Sequence, residues 1–396
     1  MKILQVSPNF PFPPNDGGKI VIYYFYKSIR KSGNDIDFIC TSKIPVPMEE
    51  RTAFDKENIP GVFYDRKISS YFRLLKNLLL GKPVLINKFY SRKFQRILMD
   101  KVTRGDYDLI HFEGLHSVPY ALKLKKVMKD KKMVVRLHNV ESQIIYRFFQ
   151  TAKNPLLKLF FWNEYRHIRR LEKKCYSELK NIIFITEDDR RLALRNDARD
   201  IRPYVMTAGV DLDYFSGLDN KPKSNLLYLG SMDWKPNEDA VLWFIKNVFC
   251  RLLESYPDLK FFVVGKNPSE KMKKQASSNI IVTGTVDDVR PYVEQAGICV
   301  IPLRVGGGMR VKILELMAAG KPIITSTIGA EGINYEKDNE LILADTAEDF
   351  FREIDGLLRD PDRMHSVGVN AKNKVKQQYS WESVISGYMN YINSIV

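Results

Sequence analysis

Residues 298–326 read ICVIPLRVGGGMRVKILELMAAGKPIITS, and the order of segments within this stretch decides the fold. An apolar run at 298–303 predicts a buried strand, the glycines at 306–308 predict a tight loop, and 310–319 has the composition of a buried helix. The Gly-Lys-Pro sequence at 320–322 ends that helix, and a second apolar strand follows directly. This order predicts two parallel strands joined by a crossover helix.

Short apolar runs of the same kind recur along the whole chain. In the first half they lie at 2–7, 37–40, 109–112, 133–137 and 182–185, and in the second half at 226–229, 260–264 and 280–283. Their alternation with helical segments is typical of α/β proteins in which helices bury both faces of parallel sheets. The sequence therefore predicts an α/β protein with parallel sheets throughout.

The chain of 396 residues is longer than one hydrophobic core usually holds, so we expect two domains. Residues 216–225 are rich in Gly, Pro, Asn, Ser and Lys, a composition typical of a linker. We therefore place an N-terminal domain at 1–215 and a C-terminal domain at 226–378. A final helix within 379–396 ends the chain.

The composition favours a folded cytoplasmic protein. A hydrophobic fraction of 44% and an aromatic fraction of 12% are typical of globular proteins. The four cysteines are scattered singly without a CxxC pair, which disfavours a disulfide framework or a zinc site. The sequence shows no recognisable signal peptide and no apolar run of the roughly 18 residues that a membrane-spanning helix needs.

Much of the formal net charge of +15 lies in the first half of the chain. Residues 66–104 contain eleven Lys and Arg and a single acid, Asp100, interleaved with Leu, Phe and Tyr. A second stretch, 156–174, places apolar and aromatic residues before a run of five Lys and Arg. Both suit an anionic membrane surface, although a solvated helix face, or a long packed helix at 156–174, fits the same pattern. We expect no nucleic-acid partner, because no known nucleic-acid-binding module accompanies the charge.

The glycine run at 306–308 precedes a helix that carries two cations, Arg310 and Lys312. Backbone N–H groups of such a loop can approach an anion closely at the start of a helix. Arg310 and Lys312 add positive charge where a diphosphate would lie. A flexible turn with solvated cations is the alternative interpretation.

Glu315 lies in a helical segment, 311–319, that is apolar nearly all round. A carboxylate buried there needs partners, because an unpaired buried charge is costly. A ribose diol would donate two hydroxyls to it. The structural alternative is an ion pair with Lys312, three residues before it, or with Lys321.

His138 and the pair Gly17-Gly18 each follow a predicted strand, the position at which α/β sheets bind ligands. A packing or capping role for His138 fits its position as well. The glycine pair lacks the GxGxxG pattern of dinucleotide oxidoreductases. The chain has no HExxH motif, no carboxylate cluster of metal type, no Walker loop and no nucleophile elbow, so we expect no metal.

Four segments together resemble the retaining glycosyltransferases of family 4, also called group 1. The longest is 279–332, which includes VTGTVDD at 282–288 and the glycine loop with its helix. The others are PPNDGG at 13–18, GVD at 209–211 followed by a Tyr-Phe pair, and LGSMDWKPN at 229–237. Their order along the chain is more specific than any one of them.

The resemblance implies the GT-B architecture, in which two Rossmann-like domains with parallel sheets face a central cleft. The final helix within 379–396 would cross back to the N-terminal domain. The implied activity is that of a retaining, metal-independent hexosyltransferase without a cofactor, using a nucleotide-sugar donor that we expect to be a UDP- or GDP-sugar. The acceptor would be a saccharide or a lipid-linked glycan in polysaccharide or glycoconjugate synthesis, reached from the cytoplasm or from the inner membrane face.

In the second half, the resemblance assigns the donor contacts to individual residues. Glu315 matches the ribose-binding glutamate, and Lys235 matches a basic residue that holds the diphosphate. Val286 lies where the backbone meets the nucleobase. Gly308 and Met309 lie where backbone amides contact the donor sugar.

In the first half, Gly17 and Gly18 match a glycine loop that faces the phosphates or the acceptor. His138 matches a histidine that hydrogen-bonds the donor sugar near the reacting carbon, where a neutral imidazole is expected to donate. The resemblance thus makes His138 the catalytic candidate.

The chain departs from the family pattern at three positions, one of which is Arg310, where the family usually has a small residue. The first glutamate of the family's E-x7-E pair falls at Gly307, and Ser231 replaces a basic residue whose charge Arg310 is expected to supply. These departures keep two other functions open. One is a non-catalytic glycosyltransferase-like partner subunit, and the other is a GT-B epimerase that acts on a nucleotide-sugar alone.

Overall fold

The computed structural model describes residues 1–14, 17–42, 49, 52, 54, 61–65, 83–196, 200–218, 221, 223–306 and 308–396. The first part of the basic stretch that suggested a membrane surface, 66–82, lies outside the described residues, as do Asp16 and Gly307.

The chain folds as two compact units. Unit 1 comprises Met1–Thr207 together with Val384–Val396, and unit 2 comprises Ala208–Ser383. Residues 208–215 and 379–383, which the sequence analysis placed with the N-terminal domain and the final helix, therefore pack within unit 2. The two segments are joined by a hydrogen bond of 2.8 Å from the Val210 N–H to the Tyr379 carbonyl.

Within the described residues, unit 1 contains a sheet of seven parallel strands in the order β3-β2-β1-β4-β5-β6-β7. The strands are β1 Lys2–Ser7, β2 Asp35–Ser42, β3 Gly61–Asp65, β4 Leu109–Glu113, β5 Lys132–Leu137, β6 Asn181–Phe184 and β7 Arg202–Val205. The central strands β1, β4 and β5 are buried along almost their whole length, as their continuous apolar runs predict. In the parallel register, Glu113 at the end of β4 lies opposite Arg136 of β5.

Helices connect these strands in unit 1. They are α1 Gly17–Lys31, α2 Val84–Asn87, α3 Arg92–Arg104, α4 Val118–Val127, α5 Glu141–Thr151, α6 Pro155–Leu179 and α7 Glu187–Asn196. The long helix α6 begins where the Asn154 side chain accepts the N–H groups of Leu156 and Leu157, with Pro155 in the first turn.

Unit 2 contains, among its described residues, a sheet of six parallel strands in the order β10-β9-β8-β11-β12-β13. The strands are β8 Asn225–Leu229, β9 Phe261–Val264, β10 Ile280–Gly284, β11 Ala296–Ile301, β12 Ile323–Thr325 and β13 Ile342–Leu343. Its helices are α8 Lys235–Phe244, α9 Cys250–Ser255, α10 Glu270–Lys273, α11 Arg290–Gln295, α12 Val311–Ala318, α13 Ala347–Arg359 and α14 Pro361–Gln378, and α15 Trp381–Asn393 ends the chain.

The crossover predicted from residues 298–326 is confirmed as β11, α12 and β12, whose two strands pair in parallel. The apolar residues of 237–254 follow helical spacing and predict one uninterrupted helix, but the structure has α8, a π-helical turn at Ile245–Phe249 and α9. The wider π turn shifts the phase of the helix, so that Phe244, Phe249 and Leu252 all remain buried.

Candidate functional site

A buried ion pair lies at the carboxyl ends of β4 and β5 in unit 1. The Arg136 guanidinium donates two hydrogen bonds to Glu113, from Nε to Oε2 at 2.9 Å and from Nη2 to Oε1 at 2.7 Å. Both side chains are fully buried. Gln5 of β1 donates a further hydrogen bond of 2.8 Å to the same carboxylate. Three adjacent strands thus supply one hydrogen-bonded polar network, which a buried charge requires.

The Glu113 carboxylate is anionic in this network. Burial alone would raise its pKa, but the Arg136 guanidinium together with His111 and His138 holds the pKa well below the usual value. An ionised carboxylate can only accept hydrogen bonds. Every group that bonds to Glu113 must therefore donate.

His138 follows β5 directly and is oriented by Glu113. Its Nε2 atom lies 2.9 Å from Oε2 of the carboxylate, while the ring remains partly exposed. Because Glu113 only accepts, Nε2 carries the hydrogen, and a neutral His138 presents Nδ1 as an acceptor. The resemblance implied that a neutral ring donates to the donor sugar, whereas this geometry leaves a neutral ring only the Nδ1 acceptor.

Gly17 and Gly18 form the exposed start of α1. The same network anchors this helix, because Arg136 donates to the Val21 carbonyl at 3.3 Å and Gln5 donates to the Ile22 carbonyl at 3.2 Å. Unit 1 therefore holds the start of α1 and His138 through one set of buried polar groups.

In unit 2, the glycine loop leads into α12 as the sequence predicts. Gly308 has φ 80°, a left-handed conformation that favours glycine, and Arg310 is the residue before the helix. Met309 lies between them and is half-buried. The N–H groups of the first helical turn point out of the helix here, and they form a partial positive charge.

Lys312 lies in the first turn of α12, and its ammonium group is inside the unit. The Nζ atom donates to Tyr228 Oη at 3.0 Å and to Asn237 Oδ1 at 3.2 Å, and it lies 4.2 Å from the centre of the Tyr228 ring. Burial holds the pKa of Lys312 well below its usual value, with a smaller effect from the Arg310 charge. A Cβ atom at Gly230 would lie 2.9 Å from Nζ and 2.9 Å from Asn237 Nδ2, so a larger residue there would require both side chains to shift.

Glu315, one turn further along α12, makes no hydrogen bond or ion pair with any residue of the described ranges. Burial raises its pKa to about 7, although the charge of Lys312 opposes this. Both alternative partners are engaged elsewhere, since Lys312 bonds to Tyr228 and Lys321 donates to the Ala296 carbonyl at 3.0 Å. The carboxylate is therefore available to a ligand that offers hydroxyl donors.

The two other predicted diphosphate-binding cations, Arg310 and Lys235, differ in burial and in their neighbours. The Arg310 guanidinium is largely buried, lies 5.1 Å from the Trp234 ring centre and packs against Gly306, where a Cβ atom would lie 2.1 Å from Nη2. Lys235, the first residue of α8, is 82% exposed and forms an ion pair of 2.8 Å with Glu238. The structure thus groups Arg310 with the glycine loop, whereas the one described partner of Lys235 is an acid on its own helix.

Val286 lies half-buried in the loop between β10 and α11, close to a polar cluster that the sequence analysis did not predict. Tyr214 Oη donates to Asp288 at 3.0 Å, and the Arg290 guanidinium bonds to Asp288 at 2.7 Å while it lies 4.7 Å from the Tyr214 ring centre. The hydrogen bond from Arg290 lowers the pKa of Asp288 to about 2. The cluster fixes the loop that carries Val286.

Sequence reasoning also missed Glu113, Arg136, Tyr228 and Asn237. One signal for the first two was present, because an Arg in the middle of the apolar strand 133–137 demands a buried acidic partner. The other two are ordinary residues of a strand and a helix. Tyr228 and Asn237 belong to the site only because the Lys312 side chain reaches them and donates hydrogen bonds to both.

Comparison with known proteins identifies the class. The fold is the GT-B fold of glycosyltransferases, which solved structures share over nearly their whole length. The sequence profile of "Glycosyltransferase Family 4" matches residues 15–214, and that of "Glycosyl transferases group 1" matches residues 223–360. The chain belongs to this family, glycosyltransferase family 4 of the group 1 type.

Individual relatives are distant. An uncharacterized 44.6 kDa protein in the cps region of Klebsiella pneumoniae is 22% identical, over 97% of this chain and 98% of the relative. The sucrose-phosphate synthase of Thermosynechococcus elongatus superposes with a TM-score of 0.68 at 14% identity, over 100% of this chain and 98% of that structure. HepE of Anabaena, in complex with UDP, gives 0.70 at 12% identity over 100% of both chains.

None of the helices in the described part of the chain is both long enough and apolar enough to span a lipid bilayer.

Proposed function

We propose that this chain is a retaining glycosyltransferase that moves a sugar from a nucleotide-diphosphate sugar to a hydroxyl of a glycan or lipid-linked acceptor. The observation that carries the proposal is the half-buried Glu315 carboxylate, whose pKa is raised to about 7 and which makes no hydrogen bond or ion pair with a described residue. A ribose diol offers two hydroxyl donors to two carboxylate oxygens. Such a ligand would supply the partners that a buried acid needs.

The diphosphate binds beside the ribose, at the start of α12. The N–H groups of the first turn, the ammonium group of Lys312 and the guanidinium of Arg310 attract the negative charge that develops on the leaving diphosphate. These fixed positive groups take the place of a metal ion in the proposed reaction. The pKa of Lys312, held low by burial, would rise when the anion binds.

The comparisons support this assignment. HepE of Anabaena, which shares the fold, forms a complex with UDP, and a relative lies in the cps region of Klebsiella pneumoniae. We therefore favour a UDP-sugar as the donor, with a GDP-sugar as the second choice, and polysaccharide synthesis as the context.

His138 positions the donor sugar in this proposal. Its Nε2–H is held by Glu113, so Nδ1 accepts a hydrogen bond from a sugar hydroxyl. In a retaining transfer the acceptor attacks the face that the diphosphate leaves. A departing phosphate oxygen is then placed to take the acceptor proton.

The experiment that tests the proposal is a thermal-shift panel with UDP, GDP, ADP, CDP and dTDP in the presence of EDTA. Wild type, Glu315→Gln and the matched surface variant Glu270→Gln are compared, since Glu270 is an exposed acid of the same unit. We expect one nucleotide to raise the Tm of wild type and Glu270→Gln but not of Glu315→Gln, because a bound ligand stabilises the folded state.

Two outcomes would contradict the proposal. If no nucleotide shifts the wild-type Tm, the chain behaves as a partner subunit without a working donor site. If a nucleotide-sugar binds and is converted to its epimer without an acceptor, the chain is an epimerase.

A further inference from the structure

The tip of the hairpin formed by α5 and α6 exposes an unusual amount of apolar surface. Eleven large hydrophobic side chains are exposed in the described chain, and five of them fall within residues 148–162. They are Phe148, Leu156, Leu157, Leu159 and Trp162. We name this set the hairpin tip. Its concentration of apolar surface points to a partner.

The hairpin tip is ordered by its own aromatic rings. Phe148 of α5 stacks on Phe161 of α6 with ring centres 5.5 Å apart, and Phe149 lies 5.2 Å from Trp162. Leu156 is 76% exposed and Leu159 is 66% exposed at the start of α6, where the Asn154 cap fixes the helix. The apolar side chains are therefore presented on a rigid element.

The charge around the hairpin tip is positive. The 22 residues between Glu141 and Glu164 contain no Asp or Glu but include Arg147, Lys153 and Lys158. Glu164 itself is fully buried and accepts the N–H groups of Val84 and Leu85 at 2.8 and 3.0 Å, so its charge is turned inward.

Basic residues continue the pattern along one face of α6. Leu159, Trp162, Arg166 and Arg170 follow one another at spacings of three and four, and all four are exposed. At 1.5 Å per residue, Arg166 lies roughly 10 Å along the helix from Leu159. This matches the depth of about 5–10 Å to which interfacial helices insert, which would leave the arginines at the level of lipid headgroups.

We propose that the hairpin tip is a docking surface for an anionic lipid bilayer. The leucines and Trp162 enter the acyl boundary, and the surrounding Lys and Arg contact the headgroups. The proposal does not depend on the donor site, because all of these residues belong to unit 1. Charge complementarity favours anionic lipid over a second copy of this chain, whose own hairpin tip is equally basic.

The test measures binding of the full chain to vesicles of phosphatidylcholine with 30% phosphatidylglycerol and to vesicles of pure phosphatidylcholine, at low ionic strength. We expect wild type to sediment with the anionic vesicles and to be released at high salt. L156S/L159S should lower the partition coefficient at least tenfold, because two leucines no longer enter the lipid. R166Q/R170Q should lower it about twentyfold on anionic vesicles, since each basic residue near the surface contributes about fivefold.

Matched controls separate the hairpin tip from general surface effects. V127S/V369S removes two exposed apolar side chains elsewhere, and K246Q/K376Q removes two exposed charges from unit 2. Both should bind like wild type. Brominated lipid should quench wild-type tryptophan fluorescence, and Trp162→Phe should lose that quenching.

Equal binding of the hairpin variants and their controls would overturn the proposal, as would a wild-type chain that ignores anionic vesicles. A wild-type chain that forms a dimer in solution, with L156S/L159S monomeric, would assign the surface to a second copy instead. If nucleotides raise the Tm of the hairpin variants as much as that of wild type, the variants are folded and only their vesicle binding is lost.

Discussion

Replacing Glu315 by Gln should stabilise the unliganded protein at alkaline pH. The carboxyl group lies inside unit 2 without a described hydrogen-bond donor, and burial raises its pKa from 4.5 to about 7. A group whose folded-state pKa is raised stabilises the fold fully below the unfolded value and loses that contribution as the pH rises through 7. The neutral amide of Gln does not carry this cost.

The magnitude follows from the shift in pKa. A difference of roughly 2.5 pH units corresponds to at most about 3 kcal/mol at pH 8. Glu315 keeps some contact with solvent, so we expect a gain of about 1–3 kcal/mol for Glu315→Gln at pH 8. For a unit of this size, 1 kcal/mol shifts Tm by about 2–4 °C.

The assay is thermal unfolding without nucleotide at pH 5, 6, 7 and 8, with Glu270→Gln as the control. The lead in Tm of Glu315→Gln over wild type should be small at pH 5, grow between pH 5 and pH 7, and level off above pH 7, because the unfolded and folded pKa values bound the window. Other buried acids, such as Glu172 with a pKa that burial raises to about 7, titrate in both proteins and cancel in the difference. A Gln variant that is no more stable than wild type at pH 8 would refute the reasoning.

Three further predictions concern the other residues of the two units. Arg136→Met should lower the free energy of unfolding by about 3–5 kcal/mol in urea titrations, because Glu113 is left buried without its cation, and adding Glu113→Gln should recover much of the loss. A double variant no better than Arg136→Met would contradict this. Lys312→Met should weaken nucleotide diphosphates about tenfold to hundredfold in calorimetry but leave the nucleoside unchanged, since the proposed site brings only the diphosphate to the ammonium group. Equal losses for both ligands would argue against that contact. His138→Gln should lower kcat about tenfold to hundredfold without changing nucleotide affinity, because the proposed role of the ring is to contact the donor sugar alone. Weaker nucleotide binding in that variant would contradict the assignment.

The interior of both described sheets could be predicted from the sequence, whereas three of their four edge strands could not. The central strands are continuous apolar runs because both of their faces are covered. The sequence analysis missed β3, β7 and β13, which are all at a sheet edge. An edge strand pairs on one side only and tolerates polar residues and proline, such as Pro203 in β7.

In the unit 2 site, the sequence could predict only those features that follow from the apolar surroundings of a residue. An acid in the apolar helix 311–319 needs a partner, and in the structure neither Lys312 nor Lys321 forms an ion pair with Glu315, so its assignment to a ribose stays a prediction. The contacts of Lys312 with Tyr228 and Asn237 were not predictable, because they join three separate elements. The family resemblance assigned Lys235 to the diphosphate, and in the structure Lys235 forms an ion pair with Glu238.

In unit 1 as well, the position of the candidate residue could be predicted from the sequence, but its hydrogen bonds could not. The position of His138 after a buried strand marked it as a candidate, whereas the direction of its hydrogen bond required the neighbouring strand. Glu113 lies opposite Arg136 only because β4 and β5 pair in one register. That pairing sets which nitrogen of His138 carries the hydrogen, and a sequence pattern does not contain this information.

The most direct test of the central claim is a crystal structure of the chain with the nucleotide diphosphate that stabilises it. The account predicts both ribose hydroxyls within hydrogen-bond distance of the Glu315 carboxylate, and the diphosphate at the start of α12 near Lys312. A nucleotide bound elsewhere, or a ribose turned away from Glu315, would contradict it.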